Sequence, residues 1–568
     1  MKVENAAGRV TEYVVAVDAG TTGVRSLVVD RAGRIVDVAY RELPQHFPRP
    51  GWVEHDPDDI WRAVQSTLIE VAGRLSDSGG TVAAIGITNQ RETALAWDRR
   101  TGTPLHRAIV WQDRRTSGRC DELRESGWLP TVRERTGLVL DPYFSATKYE
   151  WLLHHVEGTG TAQTPRGAGT MALGTVALGT VDTWVLWNLT GGVSGGVFAT
   201  DVSNAARTLL LDTATLAWTP ELCDIFHVPV GALAEVRPSC GRFGRVDADA
   251  VGGRASVLAG APVSGIAGDQ QAALFGQACF AQGMAKVTYG TGSFVLVNAG
   301  PLRPPPADGL LATVAWDLGD CARSGATPSG SGPGSGQVLG SSVTYALEGS
   351  AFVSGAAVQW LRDGLGIIDS VEELGPLAAS VPDSGGTLMV PAFTGLGSPW
   401  WDPRARGIIT GITRGTGRAQ LARATLEAMA YQVRDMTDAM VGAMVGSGAS
   451  TDGGGSTDGA SSTGASSPHL QLRADGGASS VDLLLQLQAD QSGVPVLRAR
   501  SVESTALGAA TLAGLAEGVW ESTEELAGLW EADVELTPSG NRSGVDTAYA
   551  GWLRSVERSK GWAREARP

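Results

Sequence analysis

Cysteine is scarce in this chain. The 568 residues include five, Cys120, Cys223, Cys240, Cys279 and Cys321. Their number is odd, they are scattered, and no CxxC pair occurs, which argues against a disulfide framework or a structural zinc site and fits a reducing compartment. Basic charge is also short. Against 60 Asp and Glu stand 45 Lys and Arg, a net charge of −15 with no basic tract. That composition argues against nucleic acid or an anionic membrane as partner. It leaves a triphosphate open, because a few local cations and Mg²⁺ can offset phosphate charge. No apolar run approaches the roughly 18 residues of a membrane span. The N-terminus passes through charged residues into a strand, without a signal-peptide core, so a cytoplasmic protein is expected. The seven histidines show no metal-ligand spacing, and His154-His155 reads as a solvated helix face.

What is present is length and alternation. The chain is too long for one core, so two large domains are expected. Strands and helices alternate through both halves, which gives an α/β class. Asp56-Pro57-Asp58-Asp59 predicts a helix start: Asp56 can cap, Pro57 suits the first helical position, and the acids favour the positive end of the dipole. Ile60, Val64, Leu68, Val71 and Leu75 follow at helical spacing. Val82–Ile87 reads as a buried strand, and a further strand is expected around Val181-Asp182-Thr183-Trp184. Residues 322–340 and 446–467, poor in large side chains, read as exposed flexible insertions, and 158–169 as a third soft region. The boundary between domains is placed near Ala261-Pro262.

Two hairpin signals stand out, one in each half. Val14–Asp18 leads into Ala19-Gly20-Thr21-Thr22-Gly23 and then Val24–Asp30; Val287-Thr288-Tyr289 leads into Gly290-Thr291-Gly292 and then Ser293–Val297. Glycine lets backbone approach an anion closely, and turn N–H groups with Thr hydroxyls make a nest for phosphate oxygens. Two such turns facing each other would hold a nucleoside triphosphate between domains. Asp18 beside the first turn is either a turn cap or a carboxylate facing Mg²⁺. Arg25 either reaches phosphate or is a solvated strand residue. Arg91-Glu92 follows a buried strand, at the end where α/β sheets bind ligands; it offers a polyol both donors and acceptors, or is a surface ion pair. Asp269-Gln270, just past the boundary, could accept a proton and bind a hydroxyl, or cap a hinge. Trp111 and Tyr143, taken singly, read as packing residues. Gly476-Gly477, between a strand and a helix at Val481–Gln491, could let an adenosine lie on the backbone or be a plain turn.

Longer runs carry a resemblance. They include Pro50–Pro57, Gly86–Thr93, Ala108–Gln112, Asp141–Ser145, Gly265–Gly276 and Pro391–Gly397, with signature-like segments at Tyr143–His155 and Gly407–Glu427. Together they resemble the FGGY carbohydrate kinases of the actin-like ATPase superfamily, and within them the branch that phosphorylates glycerol. The resemblance implies two ribonuclease-H-like domains with an interdomain cleft: 1–262 for glycerol and phosphate, 263–568 for nucleotide. It implies ATP-dependent conversion of glycerol to sn-glycerol 3-phosphate in glycerol uptake and catabolism, with ATP and Mg²⁺ as cofactors and a homodimer or homotetramer as assembly. Arg91, Glu92, Tyr143, Asp269 and Gln270 would bind glycerol hydroxyls, Trp111 and Phe294 would cover its carbon side, and Asp269 would be the general base. Thr21, Thr22, Gly23, Arg25, Thr291 and Gly292 would hold phosphates; Asp18 and Asp269 would face Mg²⁺; Gly355, Gln359 and Gly477 would contact the nucleoside. The chain departs from the usual pattern at Ala19 and Gly23, where Gln and Ser are common, and at Val481-Asp482, where an Asn pair is common. Kinases of other polyols or sugars, a weakened nucleotide-binding switch and a filament-forming protein remain as alternative readings.

Overall fold

The computed structural model describes residues 11–155, 175–252, 257–323, 342–447 and 470–563. The stretches read as insertions and the soft region at 158–169 lie outside them, apart from 322–323 and 446–447. No helix among the described residues is long and apolar enough to cross a membrane.

Two sheets organise the chain. In the first, the order is Cys240–Arg245, Pro262–Gly268, Thr81–Asn89, Glu12–Ala19, Gly23–Val29, Ile35–Glu42. Three strands form an antiparallel meander, two join in parallel, and an antiparallel edge closes the sheet. The second sheet repeats that plan. Val343–Ala351, Ser293–Gly300 and Met284–Tyr289 form its meander, Gln471–Asp475 and Val496–Ala499 are parallel, and Ala532–Leu536 is the antiparallel edge; Leu311–Asp317 adds one strand. Both predicted hairpins therefore occupy equivalent places in duplicated sheets. Pro262–Gly268, which starts at the expected boundary of 262, pairs with Thr81–Asn89 and belongs to the first sheet.

The strands are apolar on both faces because both faces are covered. Val15, Val17, Ile85 and Ile87 pack with Ile60, Val64, Leu68 and Val71 of the helix Pro57–Ser78. That helix starts as expected, with the Asp56 side chain accepting from the Asp58 N–H and Pro57 in its first turn. The alternate residues Val14, Ala16 and Ala84 face the other way, into a cluster with Ala506, Ala509, Ala510 and Ala513. The same cluster takes in Leu296 and Ala346 of the second sheet and Leu274 and Phe275 of the helix Asp269–Gly276. The helices Asp269–Gly276 and Ser504–Ala516 are thus a filling shared by the two sheets. Their approach needs glycine. A Cβ at Gly508 would lie 1.8 Å from Ala272 O, and one at Gly86 2.0 Å from Ala509 O.

One expectation is corrected. Val181-Trp184 is not a strand but the start of a helix, Val181–Leu189; the strand is Val176–Gly179. Nearly every residue of that helix is buried. An element buried on nearly every side carries no apolar period by which helix and strand can be told apart.

Candidate active site

The charged residues at the strand ends converge on the shared layer. Arg91 and Glu92 come one residue after strand Thr81–Asn89, and Asp269 is the first residue of the helix Asp269–Gly276, where a carboxylate suits the dipole. Arg91 is 2% exposed and its Nε lies 3.1 Å from Asp269 Oδ1. Arg91 Nη2 donates to the Tyr143 hydroxyl at 3.0 Å, and Nη1 to Gln271 at 3.2 Å. Its two Nη groups also clasp Glu348, at 2.7 and 3.1 Å. Every nitrogen of Arg91 therefore faces a protein oxygen. Glu92 is held by Arg207 Nε at 2.7 Å. Asp269 keeps about a third of its side chain exposed, at 32%, while its neighbours are closed in. Burial raises its carboxyl above the usual range, with Glu92 adding to the shift and Arg91 and Lys286 opposing it.

Aromatic rings wall the same place. Trp111 stands edge-on to Tyr143 with centroids 5.6 Å apart, and Phe294, the second residue of strand Ser293–Gly300, lies 6.5 Å from Trp111. The Trp111 indole N–H donates to Thr21 Oγ1 at 2.9 Å, which ties the first glycine turn to this wall. Trp111 and Tyr143 come from one half of the chain and Phe294 from the other.

The two turns are built differently around their glycines. In the first, Gly20 N–H closes on Gly23 O at 3.0 Å, and the exposed Thr22 offers its carbonyl to Leu43. Asp18 and Arg25 are cross-strand partners there. Burial pushes the Asp18 carboxyl up to about 7, with Asp269 and Glu503 adding to the shift and Arg25 opposing it. Arg25 is spoken for: its Nη1 pairs with Glu503 Oε2 at 2.6 Å, just ahead of the helix Ser504–Ala516. In the second turn, the carbonyls of Gly290 and Thr291 accept from Ser354, Gly355 and Ala356 at the start of the helix Gly355–Asp363. Gly476 lies against Tyr289, whose O would be 2.6 Å from a Cβ there. Gly355 and the Gly476-Gly477 pair thus both border the second turn, Gly477 and Gln359 are exposed, and a Cβ at Gly292 would meet Ala351 O at 2.4 Å.

Gln270, expected to bind a polyol hydroxyl, commits its side-chain oxygen within the protein. Its side-chain oxygen accepts from Lys286 Nζ, which also donates to Thr288 at 2.9 Å. Lys286 is wholly buried, and burial lowers its ammonium to about 8. Lys286, Glu348, Arg207 and Gln271 are site residues that sequence reasoning misses. A lone charge inside an apolar strand is the available signal for two of them, in Met284–Tyr289 and Val343–Ala351, since a buried charge demands a partner. Elsewhere, ligand atoms of Glu150, His154 and His227 lie within 4.8 Å of one another, although Arg119 Nε already holds Glu150 at 2.9 Å. Cavities of about 580 and 910 Å³, lined by Arg423 and Tyr431 and by Arg114 and Trp401, contain none of the converging residues.

The departures in the sequence have packing causes. Ala19 is wholly buried in the core under the first sheet, where a Gln would bring a polar group. A Cβ at Gly23 would fall 2.4 Å from the Tyr40 ring and hydroxyl. That ring faces the Arg25 guanidinium at 5.5 Å, and its hydroxyl donates to Thr22 O at 3.3 Å. Val481 packs toward Gly375, with Cγ1 3.2 Å from a Cβ placed there. Gly23→Ser is expected to cost about 1 kcal/mol, the low end for overpacking because the half-exposed ring can swing outward. Adding Tyr40→Ala should return most of it, as denaturant midpoints would show.

Similarity to known proteins agrees with this arrangement. Family models for the FGGY carbohydrate kinases match residues 13–276 (N-terminal domain) and 285–517 (C-terminal domain). The chain belongs to the FGGY family of carbohydrate kinases. The glycerol kinase of Symbiobacterium thermophilum is 47% identical to this FGGY kinase over 97% of the chain and 99% of that relative. The glycerol kinase of Acidovorax ebreus is 48% identical over 96% and 98%. The crystal structure of Plasmodium falciparum glycerol kinase with ADP superposes with a TM-score of 0.81, at 30% identity, over 97% of this chain and 98% of that one. A gluconate kinase from Lactobacillus acidophilus, at 20% identity and a TM-score of 0.78, shares the fold.

Proposed function

We propose that this FGGY kinase transfers the γ-phosphoryl group of ATP to a terminal hydroxyl of glycerol, giving sn-glycerol 3-phosphate and ADP. The observation that carries the reading is the gathering of Arg91, Glu92, Tyr143 and Asp269 against an aromatic wall tied to the first glycine turn. Relatives that share nearly half their residues over almost the whole chain are named for glycerol, which selects the triol over a sugar.

In this reading each residue has a role that its position supports. Glycerol hydroxyls exchange, oxygen for oxygen, with the Tyr143 and Gln271 contacts of Arg91. Glu92 accepts from a hydroxyl, Gln270 offers its amide N–H₂, and Trp111 and Phe294 cover the carbons. Asp269, the most open carboxylate of the group, takes the proton from the attacking hydroxyl. Phosphoryl transfer needs alignment and charge neutralisation more than covalent help. Thr21, Thr22, Gly23, Thr291 and Gly292 supply hydroxyls and close backbone to the phosphates. Arg25 serves them on release from Glu503, and Gly355, Gln359 and Gly477 line the nucleoside side.

A divalent cation fits the carboxylates. Burial is the main reason the Asp18 carboxyl rises to about 7, the Asp269 charge adds to it, and these hard oxygen donors suit Mg²⁺. Mg²⁺ held by Asp18 and Asp269 would neutralise phosphate charge. A coupled ADP-release assay with and without glycerol tests the function, with gluconate and xylulose as competitors. Glycerol-dependent release is expected; its absence, or a sugar turned over better than glycerol, overturns the reading.

A further inference from the structure

A buried carboxylate from the second sheet reaches into the site that the first half builds. Glu348 lies in strand Val343–Ala351 and accepts from Arg91 through both oxygens. Its Oε1 also accepts from Arg207 Nη2 at 3.0 Å. Arg207 in turn holds Glu92 at 2.7 Å, and Glu92 lies 3.6 Å from Arg91 Nε. The four side chains close a ring of two guanidiniums and two carboxylates, none more than 2% exposed. Among the described residues Arg207 Nη1 finds no acceptor, so the ring already holds a donor too many.

A buried ring of this kind contributes little net stability, because desolvation cancels much of the Coulombic gain. What it does supply is orientation. A guanidinium is planar, and a bidentate carboxylate fixes that plane. With Glu348 on both Nη groups, Arg91 has one way to direct Nε at Asp269 and its remaining Nη2 donor at Tyr143. Without it, Arg91 is free to turn onto Glu92 or Asp269 alone.

We propose that Glu348 and Arg207 are positioning residues for the polyol site. Glu348 fixes the plane of Arg91, Arg207 fixes Glu92, and through Glu348 the second sheet helps set the geometry of a pocket built mostly by the first half. Neither residue touches substrate. The proposal rests on reading that pocket as the glycerol site.

Glu348→Gln tests it, since the amide keeps the shape but turns one acceptor into a donor facing a guanidinium. The KM for glycerol is expected to rise about ten- to hundredfold, the range for a lost buried hydrogen bond to a charged group, while the KM for ATP stays within about twofold. Arg207→Lys keeps the charge and loses the fork, and should move the same constant in the same direction by less. It carries the test if Glu348→Gln does not fold. A merely structural role would reduce the fraction of active enzyme and leave the KM for glycerol where it was. The proposal is overturned if the folded variants keep that KM within about twofold, if both KM values rise together, or if neither variant folds. Wild-type enzyme separates the two claims. If it turns glycerol over and the variants bind glycerol normally, only the positioning role fails; if it shows no glycerol-dependent ADP release, the reading of the pocket fails and takes the positioning role with it.

Discussion

Asp269→Asn is expected to lower kcat for glycerol by about a hundred- to ten-thousandfold, the usual worth of a positioned general base. The substitution is nearly isosteric. The side-chain oxygen of the amide can still accept from the Gln270 N–H, as the Asp269 carboxylate does at 2.7 Å, so the start of the helix Asp269–Gly276 is preserved. What disappears is the charge. An amide cannot take a proton from an attacking alcohol, and it gives Arg91 Nε, 3.1 Å away, only a neutral acceptor. Because Arg91 remains clasped by Glu348 and Tyr143, the glycerol pocket should persist and KM should change far less than kcat. Steady-state kinetics decide it: turnover within about tenfold of wild type would remove Asp269 from the role of base.

How much of this can be read beforehand depends on the distance over which a residue's environment is set. The hairpins, the capped helix at Asp56-Pro57 and the strand before Arg91 follow from local rules, and the structure has all three. Arg91, Glu92 and Asp269 are legible because they follow buried strands, and such strand ends are where an α/β sheet exposes its chemistry. Glu348 is not legible as a partner of Arg91. Arg91 follows a strand of the first sheet, Glu348 lies in the second, and they meet only because the second sheet repeats the first and both press on one layer of helices. No spacing along the chain encodes that meeting. Gly23 shows the same limit on a smaller scale. Its missing side chain looks like a lost phosphate ligand until Tyr40, on the neighbouring strand, is seen to fill the space. The helix at Val181 reads as a strand for a third reason, total burial, which removes the amphipathic pattern that separates helix from strand.

Arg91→Ala should be the most damaging substitution outside Asp269, and it should act on binding and on stability together. Glu348 is wholly buried yet remains ionised. Burial alone would raise its carboxyl, but Arg207 and Arg91 more than offset that and bring it to about 2. Removing Arg91 takes away the bidentate partner and leaves Arg207 to serve two carboxylates, Glu348 and Glu92. Breaking one side of a buried pair costs about 3–5 kcal/mol, since the remaining charge stays desolvated and is only partly compensated. Urea denaturation at neutral pH should show a loss of that size, and the loss should shrink as acid protonates Glu348. The sign follows from the depressed value: the contribution of Glu348 is present above its ordinary carboxylate range, near 4.5, and is lost as pH falls toward about 2. In kinetics, loss of the donors that meet glycerol should raise its KM and lower kcat/KM, with the KM for ATP nearly unchanged. A variant with wild-type KM and kcat/KM for glycerol would take Arg91 out of the polyol site, whatever its stability; a variant of undiminished stability would show that the buried ring holds its charges without it.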